Sequence, residues 1–329
     1  MSKVVTFGEV MMRLTPSGDD LLIQATSFDA NFGGSEYNVA AGLVALGVDA
    51  MCVTRLPDNP LGHRALAAMR MCGVEVPDDI LAPLGRLGIY FLEAGSSPRP
   101  NRVVYDRAQS AIVMSGATDE FNWGRYLADA RWFHVSGITP ALSPGLLRAT
   151  EDAIRKSCEK GVPVSFDVNY RAKLWSTEDA REALEPLAKQ ACVIISTEED
   201  LERVFSIEGA TPRELAERAR DRFKTETVAI TLRDMKSVRR NLWGGCAVGP
   251  GGCFESRMYD VEVIDRVGAG DAFTAGLIAG LLERDLEYAV SLAAAFSAIK
   301  QTIRGDVCPA SRAQAEELMK KGSAGRIQR

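Results

Sequence analysis

The residues best placed to do chemistry in this 329-residue chain are Gly268, Ala269, Gly270 and Asp271. They follow a β-branched run ending in Asp265-Arg266 and open a segment rich in Ala, Gly and Leu, which predicts a strand, a tight turn and a helix. Glycines let such a turn approach a ligand closely, and the free N–H groups at the helix start favour an anion, of which phosphate is the natural choice. A carboxylate at Asp271 would stay ionised at the positive end of that helix and could accept a proton beside the bound phosphate. That is the equipment of phosphoryl transfer, although an ordinary N-cap at Asp271 with glycines serving close packing explains the same residues. The turn is neither a Walker loop, since no Gly-Lys-Ser/Thr follows, nor a dinucleotide fingerprint, since Phe273 stands where the third glycine belongs.

Several elements must bring partners to this turn. Gly33-Gly34 opens a predicted helix from Ser35 to Leu46, with Val39, Leu43 and Leu46 on one face. Strand and helix signals then alternate: a strand over 48–56, a loop over 57–62 and a helix over 64–72. This βαβ rhythm argues for a parallel sheet. It is interrupted by two extended runs, 87–94 and 102–107, joined by a Pro- and Gly-containing loop. Alternation along these strands puts Tyr105 and Arg107 on one face and Tyr90 on the matching face of its partner, an amphipathic wall suited to a small anionic ligand or, alternatively, ordinary cross-strand packing. Where the rhythm resumes, Asn169 and Arg171 follow the end of the strand at 162–168. Ligands of open α/β sheets sit outside such ends, so Arg171 could meet a carboxylate or a phosphate and Asn169 nucleotide phosphates.

Asp265-Arg266-Val267-Gly268-Ala269-Gly270-Asp271 resembles the C-terminal signature of the ribokinase-like (PfkB) carbohydrate kinases. Gly33-Gly34-Ser35-Glu36-Tyr37-Asn38-Val39-Ala40 resembles their N-terminal signature. The resemblance runs from about residue 3 to residue 320. Within the family, Leu87–Glu93 and Val104–Arg107 look like the 2-keto-3-deoxygluconate kinases. The resemblance implies a three-layer α/β/α fold with a mostly parallel central sheet in one kinase domain, residues 1–320. It adds a small β-sheet lid from about 11–32 and 87–112, and leaves a mobile tail at 321–329. It places Gly33, Gly34, Asn38, Tyr90, Tyr105, Arg107, Arg171 and Asp271 at the sugar. It places Asn169, Ser196, Thr231, Gly268 and Gly270 at the nucleotide, ATP. Arg13 stands where neutral-sugar kinases of the family carry an Asp, which would suit a two-pronged clasp on a substrate carboxylate. Glu199 would hold Mg2+ through water, although Ser196-x-x-Glu199 also reads as a helix capping box. A monovalent cation, K+, near Asp265 is a further family expectation, as is an adenine pocket near Gly305-Asp306. In two places the chain departs from the family: Ser196 replaces an Asn, and Arg233-Asp234-Met235-Lys236 replaces a glycine-marked turn.

Composition limits the partners. A net charge of -5 with 46% hydrophobic and 25% charged residues gives no reason to expect nucleic acid or an anionic membrane, and no apolar run approaches a membrane span. Seven cysteines without C-x-x-C spacing argue against a disulfide framework or a zinc site, and the N-terminus lacks a signal-peptide pattern, so a cytoplasmic setting is expected. The two histidines, His63 and His134, read as structural. Exposed lid strands suggest a homodimer. The expected activity is phosphorylation of the 6-hydroxyl of 2-keto-3-deoxygluconate by ATP. A fructokinase or other sugar kinase, and a sugar-binding regulator without catalysis, are the alternatives.

Overall fold

The computed structural model of the chain describes residues 2–115 and 121–321. Except for Lys321, which ends the helix Arg312–Lys321, the tail expected to be mobile lies outside the described residues.

The strand-forming runs are apolar at consecutive rather than alternate positions, which suits strands buried on both faces. Successive side chains therefore leave for opposite sides of one sheet. Val4, Cys52, Val193, Ile195 and Ala229 enter one core, while Val5, Val53, Ile194, Val228 and Ile230 enter another. The helices Ser35–Ala45, Pro60–Met71, Ala269–Leu281 and Leu286–Gln301 cover the first core. The second is covered by Pro144–Glu159, Thr177–Ala188, Glu198–Phe205 and Pro212–Phe223. Three layers follow, as the resemblance implies.

Among the described residues the central sheet has nine strands. Ala50–Val53, Lys3–Phe7, Ala130–Ser136, Val164–Asp167, Val193–Thr197 and Thr227–Ser237 run parallel in that spatial order. Arg240–Gly249 pairs antiparallel with the last of these and carries Gly252–Glu255 and Tyr259–Glu262 on its outer side. Arg233-Asp234-Met235-Lys236 is therefore not a turn: the strand from Thr227 continues through it, with Arg233 opposite Trp243 and Asp234 opposite Leu242. Gly244 and Gly245 lie inside a strand. The second helix begins at Pro60 rather than Arg64, because Asn59 caps it by accepting from the amides of Leu61 and Gly62. No helix among the described residues is long and apolar enough to cross a membrane.

Four further strands make a separate small sheet in the order Phe28–Gly33, Met11–Pro16, Gly88–Glu93, Arg102–Asp106. Its register sets Arg13 opposite Tyr90, and Tyr90 opposite Tyr105, in one row across the sheet. Arg13 is buried, and its guanidinium bonds the carboxylates of Asp265 (2.5 Å) and Asp306 (3.1 Å) from the main body. The Tyr90 hydroxyl also donates to Asp306. These contacts fasten the root of the small sheet, whereas its rim is tied by exposed pairs such as Arg239–Asp19 at 2.7 Å.

Burial decides what each tie contributes. Arg13→Met should leave two buried carboxylates without their cation and lower the unfolding free energy by about 3–5 kcal/mol in urea melts. Arg239→Ala should change it by less than about 1 kcal/mol.

Candidate active site

The carboxyl ends of the strands Lys3–Phe7, Val164–Asp167, Val193–Thr197 and Thr227–Ser237 open into a cleft of about 1410 Å³, roofed by Tyr90 and Tyr105 of the small sheet. At its floor the helix Ala269–Leu281 begins. Gly268 precedes it at φ 82°, and a side chain there would place its Cβ 1.9 Å from the Asp306 carbonyl oxygen, so only glycine fits. Gly34 is constrained by closeness: a Cβ would stand 1.9 Å from the carbonyl oxygen of Glu9. The two signature turns thus meet across the cleft.

Asp271 lies in the first turn of its helix and is held from the facing helix start. Its carboxylate accepts from the Ser35 hydroxyl at 2.8 Å and from the Asn38 side-chain amide at 2.7 Å. Ser35 accepts in turn from the Asn169 side chain at 3.1 Å. Asn169 adopts φ 42°, a left-handed conformation that Asn tolerates better than most residues, and so turns its amide back into the cleft. Ser35 is the link that joins the three segments, yet in the sequence it stands as a mere spacer between Gly34 and Asn38. The next residue, Glu36, is equally silent in the sequence. It is buried and accepts from the Ser136 amide (3.0 Å) and hydroxyl (2.7 Å) and from the Thr139 hydroxyl (2.9 Å), pinning the helix start to the sheet. Burial pushes its carboxyl up to about 7.

Of the residues expected at the site, Gly34, Asn38, Tyr90, Tyr105 and Arg107 line one side of the cleft. Asn169, Arg171, Ser196, Glu199 and Thr231 line its other walls, and Gly268, Ala269, Gly270 and Asp271 its floor. Arg13 does not. Both arms of its guanidinium are engaged by Asp265 and Asp306, so the expected clasp on a substrate carboxylate gives way to a structural ion-pair triad. Gly33 also lies outside the lining. A Cβ on it would stand 2.4 Å from a carboxylate oxygen of Asp306, so its smallness serves that buried residue. Asp306 itself belongs to the junction with the small sheet rather than to an adenine pocket. Arg107 lines the cleft but pairs with the buried Glu9. Among the described residues, Arg171 forms no ion pair and is steadied only by the Tyr170 carbonyl at 3.0 Å. The second carboxylate oxygen of Glu9 is buried and unpartnered. Glu199 is exposed and pairs with Arg203 at 2.6 Å, and the helix is capped by Thr197, which accepts from the Asp200 amide at 3.0 Å, rather than by Ser196.

The amide of Ala269, expected to face the anion, donates to the Arg266 carbonyl at 3.1 Å. Those of Gly270 and Asp271 remain in the first helical turn, where no intrahelical acceptor exists. The electrostatics also bear on Asp271. Burial raises its carboxyl above the ordinary range, opposed by the Asn38 and Ser35 hydrogen bonds and the Arg171 charge. Asp167 is raised well above its usual value by burial and then by the charges of Asp271 and Asp200. The charges of Asp167, Asp200 and Asp271 repel one another, which a divalent cation would relieve, although their carboxylates do not by themselves form a three-ligand cluster.

Residues 1–310 match the model described as pfkB family carbohydrate kinase. The chain is 36% identical to the 2-dehydro-3-deoxygalactonokinase of Haloferax volcanii over 98% of both chains. It is 28% identical to the 2-dehydro-3-deoxygluconokinase of Thermoproteus tenax, over 97% of this chain and 95% of that one. The crystal structure of the 2-dehydro-3-deoxygluconokinase from Thermotoga maritima superposes with a TM-score of 0.93 at 43% identity, over 97% of this chain and 98% of that one.

A base whose carboxyl is raised must lose its proton before it can act, so kcat/KM should fall on the acidic side at a pH above the usual aspartate value of about 4. Asn38→Ala removes a donor that favours the ionised form and should move that limb further up. A limb that stays in place in the pH–rate profile of the variant would contradict the assignment.

Proposed function

The chain belongs to the pfkB family of carbohydrate kinases, and on that premise we propose that it transfers the γ-phosphoryl group of ATP to the 6-hydroxyl of 2-keto-3-deoxygluconate, the compound also called 2-dehydro-3-deoxygluconate. The observation that carries this reading is the Asp271 carboxylate, held by Ser35 and Asn38 in the cleft-lining first helical turn, where the Gly270 and Asp271 amides have no intrahelical acceptor. Base and anion site are thereby adjacent. Asp271 removes the proton of the substrate hydroxyl as its oxygen attacks the γ-phosphorus. The bond from that phosphorus to the bridging oxygen breaks, ADP leaves with the electron pair, and the proton passes later to solvent. The two amides stabilise charge on the transferred group where it develops.

Asp167 and Asp200, with Glu199 through water, would hold magnesium, which when bound neutralises the nucleotide phosphates. The walls containing Ser196 and Thr231 receive the nucleotide. The sugar lies under Tyr90 and Tyr105, with its carboxylate at Arg171 and one of its hydroxyls donating to the unpartnered oxygen of Glu9. Three arginines, Arg13, Arg107 and Arg171, would favour a sugar acid over fructose, and with Arg13 withdrawn the preference rests on Arg171 and Arg107. The small sheet acts as a lid that keeps water from competing as acceptor. All seven cysteines are free thiols, which suits the reducing cytoplasm in which we place the enzyme. A second reading, the C4 epimer 2-keto-3-deoxygalactonate, is favoured by the name of the Haloferax relative.

Coupled assays of ADP release with both epimers, fructose and ribose should give the largest kcat/KM for a 2-keto-3-deoxy acid; a larger value for fructose would overturn the substrate assignment. Asp271→Asn should lower kcat by about 10²–10⁴-fold while sugar binding persists in calorimetry. Arg171→Met should raise KM for the sugar acid by about 10–100-fold, the loss of one charge-assisted contact, with a smaller change in KM for ATP.

A further inference from the structure

Lys300, near the end of the helix Leu286–Gln301, is fully buried, and the mechanism above does not use it. A lysine gives up most of its hydration to be there, so its partners must replace that hydration. They are two backbone carbonyls: Asp265 at 3.1 Å and Ile303 at 3.3 Å. Both belong to the chain segments that frame the anion-binding turn. The lysine stem lies against that turn as well, since a Cβ on Gly268 would stand 3.3 Å from Lys300 Cε.

The family resemblance implies a monovalent cation beside Asp265, and the residues present do not fit one. The Asp265 carbonyl is taken by the Lys300 ammonium. One carboxylate oxygen of Asp265 accepts from the Val267 amide at 3.1 Å, and the other from the Gly305 amide at 3.0 Å and from Arg13. Charge gives the same answer. Asp265 and Asp306 bring two negative charges to this buried junction, and Arg13 and Lys300 bring two positive ones. A further cation would leave the junction with net positive charge in a medium that penalises it.

We propose, building on the phosphotransfer reading above, that Lys300 is a tethered substitute for a monovalent cation. Its ammonium holds the turn from Asp265 to Gly268 so that the Gly270 and Asp271 amides are aimed before the phosphate arrives, and the enzyme needs no K+ in solution. Lys300 is not among the residues that line the cleft and is therefore a positioning residue. The competing account is that it merely caps its helix, since basic side chains near a helix C-terminus often bond the last carbonyls.

The test uses the full-length enzyme and Lys300→Ala, each in chloride salts of K+, ammonium or tetramethylammonium at equal ionic strength. Turnover and thermal melting are both recorded. Wild type should keep kcat and melting temperature in all three salts. Lys300→Ala in tetramethylammonium should lose about 10²-fold in kcat, the scale of losing one oriented oxyanion donor, with little change in KM for the sugar acid. Potassium or ammonium ions, small enough to enter the vacated space, should restore about tenfold and raise the melting temperature by a few degrees. A wild type that stops without K+ overturns the proposal, even if the variant fails to fold. So does a folded variant that is fully active in tetramethylammonium, or one that no small cation rescues in either turnover or melting. The melting arm reads the cation site without turnover, so its outcome does not depend on the substrate being the one assigned.

Discussion

Four charged groups, Arg13, Lys300, Asp265 and Asp306, are buried together where the small sheet meets the main body, and each is tolerable there only because the others are present. The rest of the site depends on this balance. Asp265 and Lys300 fix the segment that leads into Gly268, and Gly268 turns the chain so that the next helix starts facing the cleft. Arg13 and Tyr90 reach the same carboxylates from the roof. Roof and floor are thus registered to each other through a single charge cluster. The geometric demands of a near-attack arrangement leave little room for a looser hinge.

A second group of charges is less well balanced, and that imbalance is chemically useful. Asp271 and Asp167 are crowded and desolvated, so neither carboxyl sits at its ordinary value. Hydrogen bonds from Ser35 and Asn38 oppose the upward pull of burial on Asp271. Burial, and then the charges of Asp271 and Asp200, raise Asp167, and a nucleotide-bound cation would relieve that repulsion. The first cluster is neutralised internally; the second is not.

The layered fold is legible in the sequence because continuous apolar runs separated by helical periods admit few arrangements, and the two glycine-rich signatures announce which turns approach a ligand. Boundaries shift where caps decide them, as at Asn59. The long strand through Arg233 is hidden because charged side chains on an exposed sheet extension carry no apolar alternation. Arg13 misleads for a reason of the same kind. Its residue type announces an anion, but only the fold reveals that Asp265 and Asp306, far along the chain, already supply it. Ser35, Glu36, Glu9 and Lys300 give no signal because each owes its role to a partner distant in sequence. Lys300 in particular reads as one more polar residue in an Ala-rich helix until its burial is known.

The central claim is that one helical turn supplies both the base and the anion site. The most direct test is a crystal structure with 2-keto-3-deoxygluconate and a non-hydrolysable ATP analogue bound together. The account predicts the 6-hydroxyl within hydrogen-bond reach, about 3 Å, of the Asp271 carboxylate and the terminal phosphate on the Gly270 and Asp271 amides. A terminal phosphate seated away from those amides, or a sugar whose hydroxyls all avoid Asp271, would contradict it.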